Sequence, residues 1–429
     1  MKLLALVVLS VLVTPAAAVE SRPLTLQQAV DLALRQNRDL ALARLEEQAA
    51  RQAVREARSP FVPRVTVGSG LAYSSGFPLS IEGAAPSIVQ AQAAQFLLNR
   101  PQSLRVREAS VMAGSAEHAT GAKADEVAYR VAALYLDFER ATRAAAAAAR
   151  HVETLERLER LVGERVSAGR EIPLERTRAR VETARARARS KELESHAALL
   201  EVTLRADLGL EAEVRLLPVE TRLPAQAAPP DSEEAAVAAA LASAKHLKQL
   251  ESAVEAKRYS LGAERAQKWP RLDLVAQYAL LGRFNNYEDF FRTFERHNGQ
   301  VGLSVQIPVF ARGQIEPRVA RAETEISQAS LRLEAGRSHV ALEARRLYRE
   351  ATQTEAAREL ARMELDLARE SLSVMLARLD EGRVRLSQVE EARLEESRRW
   401  EAYYDAQTAS DKARLALLRQ TGGLLAALR

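Results

Sequence analysis

The side chains that could do chemistry in this chain of 429 residues are scattered along it. No two histidines stand at the spacing of a metal-binding pair; they are His118, His151, His196, His246, His297 and His339. The sequence has no phosphate-binding glycine loop and no serine flanked by glycines at an elbow. It also lacks cysteine, which excludes disulfides, thiolate ligands and a lipidated N-terminal cysteine. We therefore predict no catalytic, metal-binding or cofactor-binding residues, and an enzyme is the least supported class.

Carboxylates are abundant, but they alternate with basic residues. Glu182 interrupts a series of arginines between Arg176 and Arg189, and the adjacent acids Glu390 and Glu391 lie in an arginine-rich segment. Such alternation is typical of solvated helix faces with ion pairs one turn apart, and it explains acid pairs without general acid–base chemistry. Because a formal net charge of +5 is spread over a long chain, we predict no nucleic-acid partner.

The first 18 residues have the three parts of a secretory signal peptide. Lys2 precedes an apolar stretch that ends in small residues up to Ala18. We expect cleavage between Ala18 and Val19, which removes residues 1–18. The apolar stretch is shorter than the roughly 20 residues that a membrane-spanning helix needs. Since no other uncharged apolar run reaches that length, the sequence predicts no helical membrane span.

The sequence is internally duplicated. Identical residues recur 213 positions apart, and they include Tyr135 and Tyr348, Gly169 and Gly382, Glu182 and Glu395, and Gly209 and Gly422. Upstream the spacing is 207, as between Pro63 and Pro270, so we expect one hairpin loop to be six residues longer in the second copy. A unit of this size is too large for a solenoid repeat. We predict a first structural repeat at 19–210, a proline-rich linker at 211–231 and a second repeat at 232–429.

Each copy contains two segments in which apolar and polar residues alternate with the period of a β-strand. They start at Val65 and Ile88 in the first copy and at Leu272 and Val301 in the second. A loop from Phe284 to Asn298 concentrates aromatic residues in an aromatic-poor chain. Aromatics at the end of a strand fit a membrane-surface girdle, although a loop that folds onto its own small cluster is an equal alternative. The sequence predicts two β-hairpins, hence four strands.

Long helices surround these hairpins. Thr25 is placed to cap a first helix and Asn37 to interrupt it. Apolar residues then step by four and three through a stretch typical of a coiled coil, and a helix from about Gln102 to Ala168 would reach roughly 100 Å. Gly169 ends this helix and Gly382 ends its counterpart, so a second helix returns antiparallel from each turn. The predicted class is mainly α with a small β part.

Four strands are too few to close a membrane barrel, because single-chain barrels have eight or more. An open sheet would leave unpaired backbone groups in lipid, which the bilayer does not tolerate. Several chains must therefore share one barrel, and three chains would supply twelve strands. The long helical hairpins would continue the barrel as a helical cylinder.

An ordered set of motifs resembles the TolC family of outer-membrane efflux proteins over nearly the whole mature chain. The motifs are Leu24-Thr25-Leu26, Leu32-Ala33-Leu34, Asn37-Arg38-Asp39-Leu40, the turn at Ala168-Gly169 followed by Leu174 and Ala179, and Ile307-Pro308-Val309-Phe310-Ala311-Arg312-Gly313. The resemblance implies a homotrimer with a twelve-stranded outer-membrane barrel and a periplasmic α-barrel. It further implies a passive conduit that meets a periplasmic adaptor protein and an inner-membrane pump.

The resemblance also implies site residues. Pro63, Pro270 and Pro308 stand where the family's chain swivels between helix and strand. Carboxylates just past the second turn ring the family's periplasmic entrance, and the matching positions here hold Gln388 and Glu391. Their counterparts in the first copy are Glu175 and Arg178. An ordinary exposed acid remains the alternative for Glu391.

Two other classes of protein remain as alternatives. A secreted coiled-coil scaffold would explain the heptads and the signal peptide, but not two hairpins at equivalent points of a duplication. A periplasmic adaptor has a long helical hairpin as well, but typically one that is flanked by small β-rich domains, whereas this sequence predicts two.

Overall fold

The structure is a computed structural model of the chain, and it describes residues 21–70, 87–211, 214–219, 230–281, 295, 297–309, 312–381, 383–384 and 386–428. The predicted signal peptide with its cleavage site at Ala18 and Val19 lies outside the described residues. So do Gly382 and most of the predicted aromatic loop.

Helices make up most of the described chain, as predicted. The first repeat contains β1 (Ser21–Leu24), α1 (Leu26–Gln36), α2 (Arg38–Arg58), β2 (Arg64–Gly70), β3 (Ser87–Leu98), α3 (Arg100–Ser167) and α4 (Pro173–Leu208). The remainder contains β4 (Arg215–Pro218), α5 (Glu233–Ser243), α6 (Lys245–Ala266), β5 (Arg271–Leu281), β6 (His297–Gln306), α7 (Arg312–Asp380), α8 (Leu386–Thr421) and α9 (Leu424–Leu428).

The duplication is visible in the element bounds. Helices α4 and α8 are related by 213 positions at both ends, and α1 and α5 by 207 at both ends. The strand pairing within each hairpin shows where the second repeat is longer. Arg64 pairs with Ala94, thirty residues later, whereas Arg271 pairs with Gln306, thirty-five residues later. The prediction that all six extra residues lie in the loop was therefore wrong: five lie within the hairpin, and the sixth lies beyond it, where α7 has one residue more than α3.

The start of the first repeat is set by two polar caps, as predicted. The Thr25 hydroxyl accepts from the backbone N–H of Gln28, whose side chain accepts from the Thr25 N–H, which forms a capping box. Asn37 ends α1 and caps α2 through its side-chain oxygen. In the second repeat Ala244 has similar backbone angles between α5 and α6 without a side-chain cap. The second repeat therefore keeps the break between its two helices although it lacks the capping side chain.

The main core lies where α1, α3, α4, α8 and α9 meet. The buried seam of α3 includes Val127, Val131 and Phe138, which lie four and seven positions apart, as the heptad pattern predicts. Next to it, β1 and β4 form a parallel two-stranded sheet that the sequence analysis did not predict. The sheet brings a strand from the predicted linker back beside residues 21–24.

Long antiparallel hairpins extend from this core. Helix α3 has 68 residues and α7 has 69, so each reaches about 100 Å at 1.5 Å per residue. α3 packs along α4, and α7 along α8. Within the described part of the chain, we find no helix with the length and apolar character needed to cross a membrane.

Candidate functional site

The four longer strands form one antiparallel sheet with the order β2-β3-β5-β6. The outer pairs are the two predicted hairpins, and the central pairing of β3 with β5 joins the two repeats. β2 and β6 are the edge strands, and within this chain the outer side of each has no strand partner among the described residues. The backbone groups on those sides require a partner wherever water is absent.

One face of the sheet is apolar. Residues paired directly across antiparallel strands lie on the same face, and Val65, Ala93, Ala276 and Val301 form one such row. Val67 and Leu303 lie on this face as well, because alternate residues share a face. Val301 is 79% exposed and Val67 is 70% exposed. A sheet face with bare valines and leucines is suited to contact with lipid.

The opposite face is polar and largely uncharged. Thr66, Gln92, Gln277 and Gln300 form a row across all four strands. The side-chain amide of Gln300 donates to the Gln277 oxygen at 2.8 Å. A row of hydrogen-bonding side chains on one face and a row of valines and alanines on the other are the two linings that a water-filled membrane barrel needs.

The sheet ends near the predicted aromatic loop. There the Tyr278 hydroxyl and His297 Nδ1 are 2.8 Å apart, and both residues are exposed. The prediction that the loop runs to Asn298 was wrong by two residues, because His297 and Asn298 pair with Leu280 and Ala279 and so belong to β6. The five aromatic residues of the loop lie outside the described residues.

The predicted swivel prolines stand at the joints between helix and strand. Pro63 directly precedes β2, Pro270 directly precedes β5, and Pro308 follows the end of β6 by two residues. Because proline lacks a backbone N–H, it stops both the helical and the strand hydrogen-bond pattern at each joint. That these joints act as swivels stays a prediction.

At the far end of the first helical hairpin, Gly169 makes the turn. Its φ of 69° is left-handed, a region that favours glycine. The N–H of Arg170 donates to the Arg165 carbonyl at 2.9 Å and that of Gly169 to the Val166 carbonyl at 3.0 Å, which is a Schellman motif. The second hairpin repeats the first of these bonds between Arg383 and Arg378 at 2.9 Å. Gly169 thus stands at the end of α3 with a left-handed backbone, whereas Gly382 lies outside the described residues.

The predicted entrance residues lie just after these turns. Glu175 and Arg178 occupy the first turns of α4 and form an ion pair at 2.7 Å. Gln388 and Glu391 occupy the equivalent turns of α8, and both are exposed. All four therefore stand at the same end of the hairpins, in two pairs on different helices. Their role at an entrance stays a prediction.

Helices α4 and α7 each have an exposed stripe of apolar side chains. On α7, Leu360, Met363, Leu367 and Val374 follow heptad spacing and are exposed. On α4, Leu174, Val181 and Val202 are exposed at multiples of seven. Heptad stripes of this kind are the seams along which helices pack. Among the described residues, these apolar side chains of α4 and α7 are left uncovered.

Charged groups are buried where the hairpins of the two repeats meet. Glu139 of α3 is buried and accepts from Arg143 at 2.6 Å, and the Ser410 hydroxyl of α8 donates to Glu355 of α7 at 2.8 Å. Burial raises the pKa of the adjacent Asp411 from 3.8 to about 6. Arg358 and Arg414 oppose this rise, whereas Glu355 and Glu139 add to it.

A polar tie at the core was not predicted from the sequence. The hydroxyl of Tyr135, a fully buried residue, lies 2.6 Å from the Leu24 carbonyl and 2.8 Å from that of Val219, and it accepts from the Val219 N–H at 3.0 Å. It thus fixes β1 and β4 to α3. The sequence did show that Tyr135 recurs as Tyr348. A repeated residue, however, does not reveal which groups it contacts.

Comparisons with known proteins agree with this geometry. Residues 29–210 and 236–423 match the family model described as outer membrane efflux protein. The fold is similar to that of a membrane protein from Pseudomonas aeruginosa, with 19% identity, a TM-score of 0.74 and 92% of each chain covered. It is also similar to the CmeC outer membrane channel of Campylobacter jejuni, with 16% identity, a TM-score of 0.73, and 93% of this chain and 86% of that chain covered.

A third similar structure is the outer membrane protein VceC of Vibrio cholerae, with 16% identity, a TM-score of 0.71, and 93% of this chain and 96% of that chain covered. At such identities these structures show the fold. No curated protein matches the sequence.

The matched residues make up most of the chain, and they include both repeats with their hairpins. The family resemblance predicted from the motifs is confirmed, and the protein resides in the outer membrane and extends into the periplasm. This chain belongs to the outer membrane efflux protein family.

Proposed function

We propose that this protein is the outer-membrane channel of a tripartite efflux or type I secretion system and acts as a passive conduit. One observation carries the proposal: the chain has a sheet with one apolar face, one polar face and two edges that lack a strand partner among the described residues. A sheet of this kind is stable in lipid only if its edges are paired and its polar face lines water.

Three copies supply the missing partners. Each contributes four strands, so three give a closed barrel of twelve. β6 of one copy would pair with β2 of the next, which is a head-to-tail contact that closes into a ring. The bare stripes of α4 and α7 would meet in the same order around the ring and form the wall of a periplasmic α-barrel. The two repeats per chain would give the threefold assembly nearly sixfold walls.

The proposed partners follow from the length of this assembly and from the family. Helices of about 100 Å carry the conduit far below the membrane, where the turns at Gly169 and its counterpart would meet a periplasmic adaptor protein and an inner-membrane pump. We place Glu175, Arg178, Gln388 and Glu391 at that entrance. Charges in a narrow mouth focus the potential and alter the passage of ions.

Adjacent residues on opposite faces of β6 provide the test. Because the chain has no cysteine, Gln300→Cys and Val301→Cys each introduce a single thiol. In single-channel recordings, a charged and membrane-impermeant thiol reagent should lower the conductance of Gln300→Cys, whose side chain would face the lumen. Val301→Cys, which would face lipid, should conduct as before. Equal responses, or the absence of channels from the unmodified protein, would overturn the proposal.

The entrance has a separate test. We expect Glu391→Ala to change the conductance or the block by cations, whereas the exposed acid Glu401 lies farther along α8 and Glu401→Ala should leave both unchanged. Unaltered currents in Glu391→Ala would remove that residue from the gate. Extraction separates the scaffold alternative, since a scaffold is released by salt and a barrel only by detergent.

A further inference from the structure

Helix α6 of the second repeat packs on two long helices, α7 of its own repeat and α3 of the repeat before it. At one end of the contact with α3, the Lys245 ammonium donates to the Gly121 carbonyl at 3.0 Å. At the other end, a methyl group added to Gly262 would lie 3.4 Å from the Leu104 side chain. The two helices are thus antiparallel, with position 245 beside 121 and position 262 beside 104.

Helix α2 is the counterpart of α6, but it has only one of these two neighbours. It packs on α3 of its own repeat, and among the described residues it has no comparable packing on a second long helix. The side that α6 turns toward α3 includes Ala256, which is 3% exposed. In α2 the same stripe carries Leu42 and Leu45, which are 59% and 61% exposed. This face is exposed in α2, whereas the equivalent face of α6 is covered by α3.

Helix α7, the counterpart of α3, is exposed at the positions equivalent to those that contact α6. Leu331 corresponds to the half-buried His118, yet it is 65% exposed. Glu334 corresponds to Gly121 and is exposed as well. Among the described residues, the structure gives Glu334 no ion pair or side-chain hydrogen bond, and the same holds for Arg38, the counterpart of Lys245. At this place α2 and α7 carry an exposed arginine and an exposed glutamate, whereas in the duplicate Lys245 contacts both the Gly121 carbonyl and the carboxylate of Asp125.

We infer that α2 of one copy packs on α7 of the adjacent copy in the register that α6 uses on α3. Shifting Lys245 by 207 and Gly121 by 213 brings Arg38 opposite Glu334 of the second copy. Leu42 and Leu331 then come together beside this pair. Two bare leucines and two opposite charges are complementary in that register, whereas a slip of one turn separates the charges.

This contact rests on the proposed ring of copies and gives it a residue-level register. It runs in the same direction around the ring as the pairing of the free edges of β6 and β2, so one rotation satisfies both. Because the contact is head-to-tail, it involves two different surfaces of each chain and repeats until the ring closes.

Cross-linking in detergent tests the register. Arg38→Cys combined with Glu334→Cys should join chains through a short bifunctional thiol reagent and give bands up to the full oligomer. The matched control combines Arg38→Cys with Arg345→Cys, an exposed position on the same side of α7 about 16 Å farther along, and it should give only the background of the single variants. Cross-links in the control pair but not in the first pair, from an intact oligomer, would overturn the register and leave the proposed function standing.

A charge exchange provides the second readout. Arg38→Glu and Glu334→Arg should each lower the temperature at which the oligomer dissociates, and the double variant should recover most of the loss. Losses that merely add in the double variant would contradict the direct contact. An unmodified protein that forms no oligomer would instead contradict the proposed function itself.

Discussion

The two repeats build the same elements with different polar contacts. In the first repeat, Arg130 of α3 forms ion pairs with Asp207 of α4 at 3.0 Å and with Asp39 of α2 at 2.8 Å. The counterpart of Arg130 is Glu343, which pairs instead with Arg346 of its own helix at 2.7 Å. Within the part of the chain that the structure describes, the three-helix tie of the first repeat is thus absent at the equivalent place in the second, although the helices follow the same path.

The duplicated tyrosines differ in the same way. Tyr135 is fully buried and fixes β1 and β4, whereas Tyr348 is half-buried at the edge of a smaller cluster. The shared backbone therefore depends on the apolar heptads and the turn residues that both copies keep. The ties through Tyr135 and Arg130 are specific to the first repeat, whereas the second repeat has other polar ties, such as the ion pair of Arg349 in α7 with Glu233 in α5 at 2.9 Å.

Gly422 offers the largest expected effect. Its φ of 81° is left-handed, and a methyl group there would lie 2.6 Å from Cβ of Ser243. We expect Gly422→Ala to lower the free energy of unfolding by about 2–4 kcal/mol, through backbone strain plus overpacking. Gly169→Ala is the control, because its φ is similar but nothing lies within 4 Å of the added methyl group, so a cost of about 1 kcal/mol is expected. Equal losses in denaturant unfolding would contradict the packing argument.

The tyrosine pair tests the polar tie directly. Tyr135→Phe removes the hydroxyl and leaves the Val219 N–H without its side-chain acceptor, so we expect a loss of about 1–3 kcal/mol. Tyr348→Phe should change the free energy of unfolding by less than about 0.5 kcal/mol. Thermal unfolding of both variants in one detergent makes the comparison. A similar loss in both would show that the two repeats are held alike.

Asp411 should make the stability of the second repeat depend on pH. Its counterpart in the first repeat is Ala198, which has no ionisable group. Because burial raises the folded-state pKa of Asp411 from 3.8 to about 6, the folded protein holds the extra proton between these values, and stability falls as pH rises through this window. We expect Asp411→Asn to be more stable than the unmodified protein by about 1–2 kcal/mol at pH 7 and equal to it near pH 4. Parallel stability curves over this range would contradict the assignment.

The smallest effect concerns the helix breaks. Asn37→Ala should cost about 1 kcal/mol, because the cap on the Asp39 and Leu40 N–H groups is lost. Ala244 has similar backbone angles, so Ala244→Asn should gain up to about 1 kcal/mol by adding the missing cap. A loss of stability in Asn37→Ala together with a gain in Ala244→Asn would show that both repeats form the break, and that the natural side-chain cap is present in the first repeat. A loss in Ala244→Asn would show that the second site cannot accept the side chain.

Much of this fold could be predicted because it is periodic. The heptad seam of α3, the alternation in the four strands and the glycine turn at Gly169 each leave a local signal in the sequence. The strand from Arg215 to Pro218 leaves none, because four residues are too few to show a period of two. The prediction for the start of β6 was wrong for a related reason: pairing with β5 extends the strand over His297 and Asn298, which do not themselves favour a strand.

The site was predictable in part. The sequence placed the apolar and polar residues of each strand on opposite sides, and the structure confirms this for Val65 and Val301 against Gln277. It could not show that β3 pairs with β5, because the contact between repeats depends on the packing of α6 between α3 and α7. The entrance residues stay predictions, since a role at an entrance depends on neighbours from other copies.

The mass of the protein–detergent complex, corrected for bound detergent, tests the central claim most directly. If the four-stranded sheet, whose two edges have no strand partner among the described residues, closes its wall with further copies, the protein mass should equal three chains. A protein that leaves the membrane fraction without detergent and has the mass of a single chain would contradict the account.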